Sequence, residues 1–323
     1  MTPPPLALRS ALVQKGWTDG DLRRMRRAGL IAPVRRGAYR VQSAGEPEGP
    51  EARHELLVRA TLPQLGPGWV VSHESAAVLL GLPVWNRPLD RVHVSRDGRG
   101  GGRITRGVHR HVTPLRSTEV TTVGGIRLTD AGRTVVDIAC SAPFEEAVVV
   151  ADAALAPREG RCPPLTDPGR LEAALDRCGR NGRTGARRVL AFADGGARSP
   201  GESRSRVAMR RAGLPPPVLQ YEVVGPDGRS LGFADFGWPE QRTVGEFDGR
   251  VKYGRLVATG QVPADVLYAE KLREDAVRAT DLGVVRWGWP DLDRFTPVAT
   301  RLRRTFRPSA HPADVRARSD VRA

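Results

Sequence analysis

The chain has few residues of the kinds that build disulfide frameworks, zinc sites or membrane spans. Its three cysteines, Cys140, Cys162 and Cys178, are an odd number without paired ligand spacing. Neither a disulfide framework nor a zinc site is therefore predicted. No run of about 18 apolar residues occurs, so no membrane span is expected. The N-terminus lacks the charged and apolar regions of a signal peptide, so we expect a cytoplasmic protein.

Lysine is scarce as well, since only three of the 51 basic residues are lysine and the rest are arginine. The net charge of +15 is concentrated at the ends of the chain. Residues 1 to 45 hold nine basic and two acidic side chains, and residues 301 to 323 hold seven and two. Such clusters attract polyanions by displacing counterions from phosphates, which predicts DNA as a partner. The alternative is that an arginine-rich composition merely makes the surface basic.

Two acidic segments near the C-terminal end contain the main candidates for a functional site. Residues 233–238 and 243–249 are each typical of a short strand, and the turn residues between them predict a β-hairpin. Glu246 and Asp248 share one face of their strand, and Asp235 on the neighbouring strand joins them if the register allows. Gathered carboxylates repel one another unless a cation lies between them. Their hard oxygen atoms suit Mg²⁺ or Mn²⁺.

Three further residues are candidates for the same site. Two of the three lysines, Lys252 and Lys271, follow the carboxylates closely, and an ammonium is a compact charge that can approach a reacting oxygen. Lys271 also has the spacing for a helical ion pair with Asp275. Glu202 opens a helix upstream, where Ser199 and Glu202 equally match a capping box.

The order of these motifs resembles that of a known family. Residues 202, 213–215, 220, 235–239, 246–249 and 270–275 resemble a bacterial family of unassigned function that is related to very-short-patch repair endonucleases and looks like a branch of the PD-(D/E)XK nucleases. The resemblance implies a metal-dependent phosphodiesterase with Asp235 and Glu246 as metal ligands, Glu202 as the helix carboxylate and Lys252 as the charge partner. Many relatives carry histidines just after the Asp-Gly step, where this chain has Val251-Lys252-Tyr253. The role of a histidine as general acid or base is therefore not carried over.

The N-terminal segment is typical of a DNA-binding module. A helix from Leu8 ends at Gly16, and a second opens at Thr18, which has capping-box spacing with Asp21. Two strands around a basic turn follow. The segment resembles the winged helix of abortive-infection type IV antitoxins, notably at residues 35–39. Its candidate DNA contacts are all arginines: Arg23, Arg24, Arg26, Arg27, Arg35, Arg36 and Arg40.

The middle of the chain mixes helices and strands and resembles the same antitoxins at residues 72–81 and 133–137, which implies a protein toxin as a possible partner. His93, His109 and His111 alternate on strand-like segments, where they could bind a metal or contact RNA. Exposed histidines flanked by arginine are the favoured interpretation. The glycine-rich run at residues 97–103 is interpreted as a hairpin loop.

The expected fold is a multi-domain α/β protein. A winged helix spans residues 1–45, a mixed α/β domain 50–160, and a restriction-endonuclease-like α/β/α domain 170–307, followed by a basic, disordered tail at 308–323. The predicted function is that of a DNA-binding protein with a Mg-dependent endonuclease-like domain. The main alternative is a non-enzymatic transcriptional regulator or antitoxin-like protein with a degenerate nuclease fold, and an RNA-binding module ranks last. Fold resemblance alone does not decide activity.

Overall fold

The chain forms two compact units, Met1–Ala193 and Asp194–Ala323. The structure, a computed structural model, describes residues 6–41, 47, 49–105, 107–158, 162–179, 181–249 and 280–307. Each unit combines helices with its own β-sheet, which confirms the predicted multi-domain α/β class. None of the described helices is both long enough and apolar enough to span a membrane.

The first unit begins with an N-terminal module of two helices and a three-stranded antiparallel sheet. Its elements are β1 (Leu6–Leu8), α1 (Arg9–Gln14), α2 (Asp19–Arg27), β2 (Ile31–Arg35) and β3 (Ala38–Val41), and its antiparallel sheet has the order β1-β3-β2. The start of α2 is the predicted capping box, because the Thr18 hydroxyl accepts from the Asp21 N–H while the Asp21 carboxylate accepts from the Thr18 N–H. Leu8 was predicted at the start of the first helix but lies in β1.

The remainder of the first unit is a mixed sheet covered by helices. Its described helices are α3 (Gly49–Thr61), α4 (His73–Leu79), α5 (Ala131–Ser141), α6 (Phe144–Leu155), α7 (Pro168–Arg177) and α8 (Arg183–Leu190). Its described strands are β4 (Val70–Val71), β5 (Val92–Asp97), β6 (Gly102–Thr105), β7 (Val108–Thr113), β8 (Val120–Val123) and β9 (Ile126–Thr129), in the order β6-β7-β5-β4-β9-β8.

The pairing within this sheet differs from the predicted hairpin. β5 and β7 are parallel, whereas β6 runs antiparallel to β7 at the edge of the sheet. Gly102 and Arg103, assigned from sequence to a loop, therefore belong to a strand. Alternate residues of the central strands point into the core, where Val92, Val94 and Leu128 are completely buried.

The boundary between the units lies further along the chain than the predicted domain boundary at residue 170. Helices α7 and α8 belong to the first unit, where Arg177 on α7 donates to Glu119 at 3.2 Å. The thiol of Cys178, directly after α7, lies 3.8 Å from that of Cys140 on α5. The predicted tail at residues 308–323 lies outside the described residues.

The second unit contains a four-stranded sheet with helices before and after it. Its described elements are α9 (Pro200–Arg211), β10 (Val218–Val224), β11 (Ser230–Trp238), β12 (Thr243–Asp248), β13 (Gly283–Gly288), α10 (Trp289–Leu292) and α11 (Thr296–Thr305). The strands follow one another in the order β10-β11-β12-β13, with two antiparallel pairings and a final parallel one. The hairpin predicted from the two acidic segments is thus confirmed as β11 and β12.

Aromatic side chains form the core of the second unit and set the position of α9. Phe236, Trp238 and Trp287 are almost completely buried between the sheet and the helices. Gly201 lies against the ring of Phe247, and a Cβ atom at this glycine would come within 1.9 Å of that ring. Only glycine permits this approach, which brings the first turn of α9 onto β12.

Candidate functional site

Strands β11 and β12 bring Asp235 and Glu246 together. Phe236 pairs with Gly245, and one step further along this antiparallel register Asp235 lies opposite Glu246 on the same face. The Asp235 carboxylate turns towards β12, where its Oδ2 accepts from the Phe247 N–H at 2.7 Å. Two of the predicted acidic residues are therefore neighbours across the hairpin.

Glu202 reaches the same region from the first turn of α9. Its side chain is 7% exposed, and Ser199 caps the helix because its oxygen accepts from the Glu202 N–H while Oε1 of Glu202 accepts from the Ser199 hydroxyl at 2.8 Å. The full reciprocal capping box found at Thr18 is not formed here. Oε2 accepts from the Arg198 N–H at 2.9 Å. Burial raises the pKa of Glu202 above its ordinary value, and the charge of Asp235 raises it further, against the lowering effect of the Arg198 N–H.

Gln220 connects these carboxylates and was not chosen as a site residue from sequence. It lies on β10 between Leu219 and Tyr221, which pair with Phe236 and Ala234, so it is opposite Asp235. Its Nε2 donates to Glu202 Oε2 at 3.2 Å, and its backbone is left-handed with φ of 48°. Such a conformation is rare for a residue with a side chain and is common at functional sites.

The side chain of Arg286 forms an ion pair with Glu246. Arg286 on β13 is in register with Glu246, and its Nε donates to Glu246 Oε2 at 2.6 Å. Asp248 lies two residues along the same strand and is exposed. The predicted site residues Lys252 and Lys271 lie outside the described residues, as does most of the helix predicted over 264–282.

Carboxylates from α9, β11 and β12 lie in one region of the second unit, and their oxygen atoms are of the kind that hard cations prefer. Among the described residues, however, the side chains whose possible ligand atoms all lie within 4.8 Å of one another are His73, His93 and His111 of the first unit, and these carboxylates do not form such a group. Asp235 also raises the pKa of Glu202 through its charge, which is the repulsion that a bound cation would relieve.

The predicted DNA-contacting arginines divide into exposed and buried groups. The exposed ones are Arg23, Arg24, Arg26, Arg27 and Arg36. Arg24 forms an ion pair with Asp21. Arg35 is partly buried and donates to the Thr61 hydroxyl, while burial lowers its pKa. Arg40 is only 4% exposed, so it does not fit the predicted role of a phosphate contact.

The histidines of the first unit contradict their sequence interpretation. His93, His109 and His111 are not freely exposed, because β5 and β7 place them side by side and His73 stacks on His111 with ring centroids 3.8 Å apart. Their alternation along the strands was visible in the sequence. The parallel pairing that unites them with His73 was not.

Comparisons with known proteins leave the activity open. No family model matches the chain. The uncharacterized proteins Rv2248 and MT2308, from the H37Rv and CDC 1551 strains of Mycobacterium tuberculosis, are each 37% identical over 129 residues, which is 39% of this chain and 44% of each relative. The match thus spans less than half the length of these relatives. The crystal structure of the RV2827C protein from Mycobacterium tuberculosis is similar over 69% of this chain and 85% of that one, at 18% identity and a TM-score of 0.40.

Proposed function

We propose that the chain binds DNA through its N-terminal module and hydrolyses phosphodiester bonds at the carboxylate site of its second unit. The observation that carries this proposal is the pairing of Asp235 with Glu246 across β11 and β12, with the buried Glu202 near enough for the charge of Asp235 to raise its pKa. Carboxylates this close repel one another, and a bound cation would relieve that repulsion.

The residues of the site have separable roles in this proposal. Asp235 and Glu246 hold Mg²⁺ or Mn²⁺, and Glu202 is the third carboxylate. Gln220 fixes the orientation of the Glu202 side chain through their hydrogen bond. A bound divalent cation would stabilise charge on the phosphate and lower the pKa of a water molecule. Lys252 and Lys271 are proposed to balance charge around the reacting phosphate, and Asp248 is proposed as a further carboxylate beside the cation.

The exposed arginines of α2 and of the turn between β2 and β3 give the N-terminal module its affinity for the phosphate backbone of DNA. Arg23, Arg26 and Arg27 project from one short helix and Arg36 from the turn between β2 and β3. Contacts of this kind position a protein on a duplex without reading its sequence.

Cleavage assays with matched variants test the enzymatic proposal. The full chain is incubated with duplex, mismatched and single-stranded DNA in Mg²⁺ or Mn²⁺, beside Asp235→Asn, Glu246→Gln and the control Glu240→Gln. Glu240 is an exposed carboxylate in the turn between β11 and β12. We expect cleavage that falls at least about 100-fold in the two site variants and is unchanged in the control, as for loss of a group that stabilises transition-state charge. Cleavage that survives both site substitutions would exclude this site.

The Arg286–Glu246 ion pair favours a second candidate function, a regulator without catalysis. In this candidate, Arg286 and the capping hydrogen bonds of Glu202 satisfy the carboxylates, and the second unit serves as a scaffold. A regulator should bind a specific duplex equally well in EDTA and in Mg²⁺, and Asp235→Asn should leave that binding intact. Mobility-shift titrations beside the cleavage assay distinguish the two functions.

A further inference from the structure

Four histidines of the first unit meet on one side of the parallel pair β5 and β7. His93 on β5 is in register with His109 on β7, and His111 lies two residues further on the same face of β7. His73, the first residue of α4, lies over this face and stacks on His111. The ring of His109 is 3.9 Å from that of His111, centroid to centroid.

Three of these rings have the spacing of a metal site. One ring nitrogen from each of His73, His93 and His111 lies within 4.8 Å of the other two. His111 Nε2 and His93 Nδ1 are 3.2 Å apart. In a tetrahedral zinc site with Zn–N bonds of about 2.0 Å, ligand nitrogens are about 3.3 Å apart, so side-chain rotations close the remaining gap.

Two buried carboxylates flank the rings with one oxygen each left over. Arg87 binds Oε1 of Glu74, and Arg133 binds Oδ1 of Asp137. Glu74 Oε2 and Asp137 Oδ2 are buried and have no hydrogen-bond partner among the described residues. These two oxygens lie 3.4 Å from His93 Nδ1 and 3.9 Å from His73 Nδ1.

Carboxylates beside metal-binding histidines orient the rings and increase the basicity of the ligating nitrogens. The leftover oxygens of Glu74 and Asp137 instead lie near Nδ1 of His93 and of His73, so they bring negative charge to the place where a cation would bind.

The backbone at His73 has an uncommon conformation. Its φ of 51° is in the left-handed region, which few residues with a side chain adopt. This conformation, at the start of α4, turns the imidazole onto His111. A conformation of this kind is common where a side chain must be held in a functional position.

A cleft of about 600 Å³ gives access to the rings. His73, His109 and His111 line it together with Asp137, Cys140 and the glycine-rich segment 98–102. The cleft gives a water molecule or another small ligand access to the rings of His73 and His111.

We propose that His73, His93 and His111 form a binding site for a transition-metal cation, in the first place Zn²⁺, with an open coordination position facing the cleft. Imidazole nitrogen suits Zn²⁺ and its neighbours among the transition metals, whereas Mg²⁺ prefers oxygen atoms. The site belongs to the first unit and does not rest on the activity proposed for the second.

Zinc titration of the untagged full-length chain tests this site. The protein is stripped with a chelator and titrated with Zn²⁺ in competition with a chromogenic chelator, in the presence of excess Mg²⁺. We expect one equivalent to bind, and affinity to fall about 100-fold or more in His93→Gln and His111→Gln. His109→Gln is the matched control, because it removes a stacked imidazole from the same strand but none of the three ligands, and it should retain affinity.

Two further measurements show whether zinc binds to these histidines or to other groups of the protein. Asp235→Asn should leave the titration unchanged, since that residue belongs to the second unit. Co²⁺ bound to the wild-type chain should show visible d–d absorption without a thiolate charge-transfer band, because Cys140 and Cys178 are not ligands. A thiolate band, no stoichiometric binding, or affinity unchanged in His111→Gln would overturn the proposal and leave a hydrogen-bonded histidine stack.

Discussion

Glu246 is the residue at which two cations compete in the proposed nuclease site. Arg286 already binds its Oε2 at 2.6 Å, and a divalent ion would need the same carboxylate. The two side chains are 20% and 43% exposed, so solvent screens their attraction. An ion pair at such a position is worth at most about 1 kcal/mol, which a divalent cation can outcompete.

Removing this competitor should favour the metal. We expect Arg286→Gln to tighten Mn²⁺ binding by up to about fivefold, the equivalent of about 1 kcal/mol. Isothermal titration of the full chain measures the effect, with Arg229→Gln as a control at an exposed arginine of the same unit. If the affinity for Mn²⁺ does not change, Glu246 is not a ligand. If it weakens, Arg286 supports the site instead of competing with it.

At the scale of elements, the His54 side chain connects α3 to Leu89 and to Ser75 on α4, and these two hydrogen bonds define its tautomer. Its Nδ1–H donates to the Leu89 carbonyl at 2.9 Å, so its Nε2 accepts from the Ser75 hydroxyl at 2.8 Å. The Ser75 oxygen in turn accepts from the His93 N–H. Burial lowers the pKa of His54, against the raising effects of the Leu89 carbonyl and the charge of Glu74.

This lowered pKa predicts a loss of stability in mild acid. The unfolded chain protonates His54 near pH 6.5, whereas the folded protein does so only at lower pH. Below about pH 6.5 the unfolded state therefore binds more protons, and the free energy of unfolding falls as the pH falls. Urea unfolding at pH 8 and pH 5 should show a smaller decrease in His54→Gln than in the wild-type chain. Equal decreases would mean that His54 titrates normally in the folded protein.

For the whole molecule, the net charge of +15, concentrated at the ends of the chain, predicts that the affinity for DNA depends strongly on salt concentration. Arg35 and Arg40 face the interior, which leaves five of the predicted arginines exposed on the N-terminal module. Each phosphate contact contributes about −0.9 to the slope of log affinity against log salt, so five contacts give a slope of about −4.5.

Binding to any duplex should therefore weaken roughly 500-fold between 50 and 200 mM salt. The double variant Arg23→Gln and Arg27→Gln should reduce the magnitude of the slope by about 2, because it removes two contacts. Fluorescence anisotropy at several salt concentrations measures both slopes, with Arg229→Gln as the control. A slope that the double variant leaves unchanged would place the DNA contacts elsewhere on the protein.

Local patterns in the sequence were sufficient for many of the elements and for part of the carboxylate site. The capping box at Thr18 and the cap of α9 by Ser199 were predicted correctly because each is completed within three residues. The acidic hairpin was predicted because strand alternation and a short turn define its pairing. The register that places Asp235 opposite Glu246 was left open by the sequence and is given by the structure.

Only the tertiary structure determined which distant residues meet. Arg286 reaches Glu246 through a parallel pairing across a long connection, and the histidines of α4, β5 and β7 meet because β5 pairs with β7 instead of forming a hairpin. The burial of Arg40 likewise depends on packing that no local pattern reveals. Hydrophobic periodicity specifies the face of an element, but the neighbour that covers this face is selected by the packing of the whole unit.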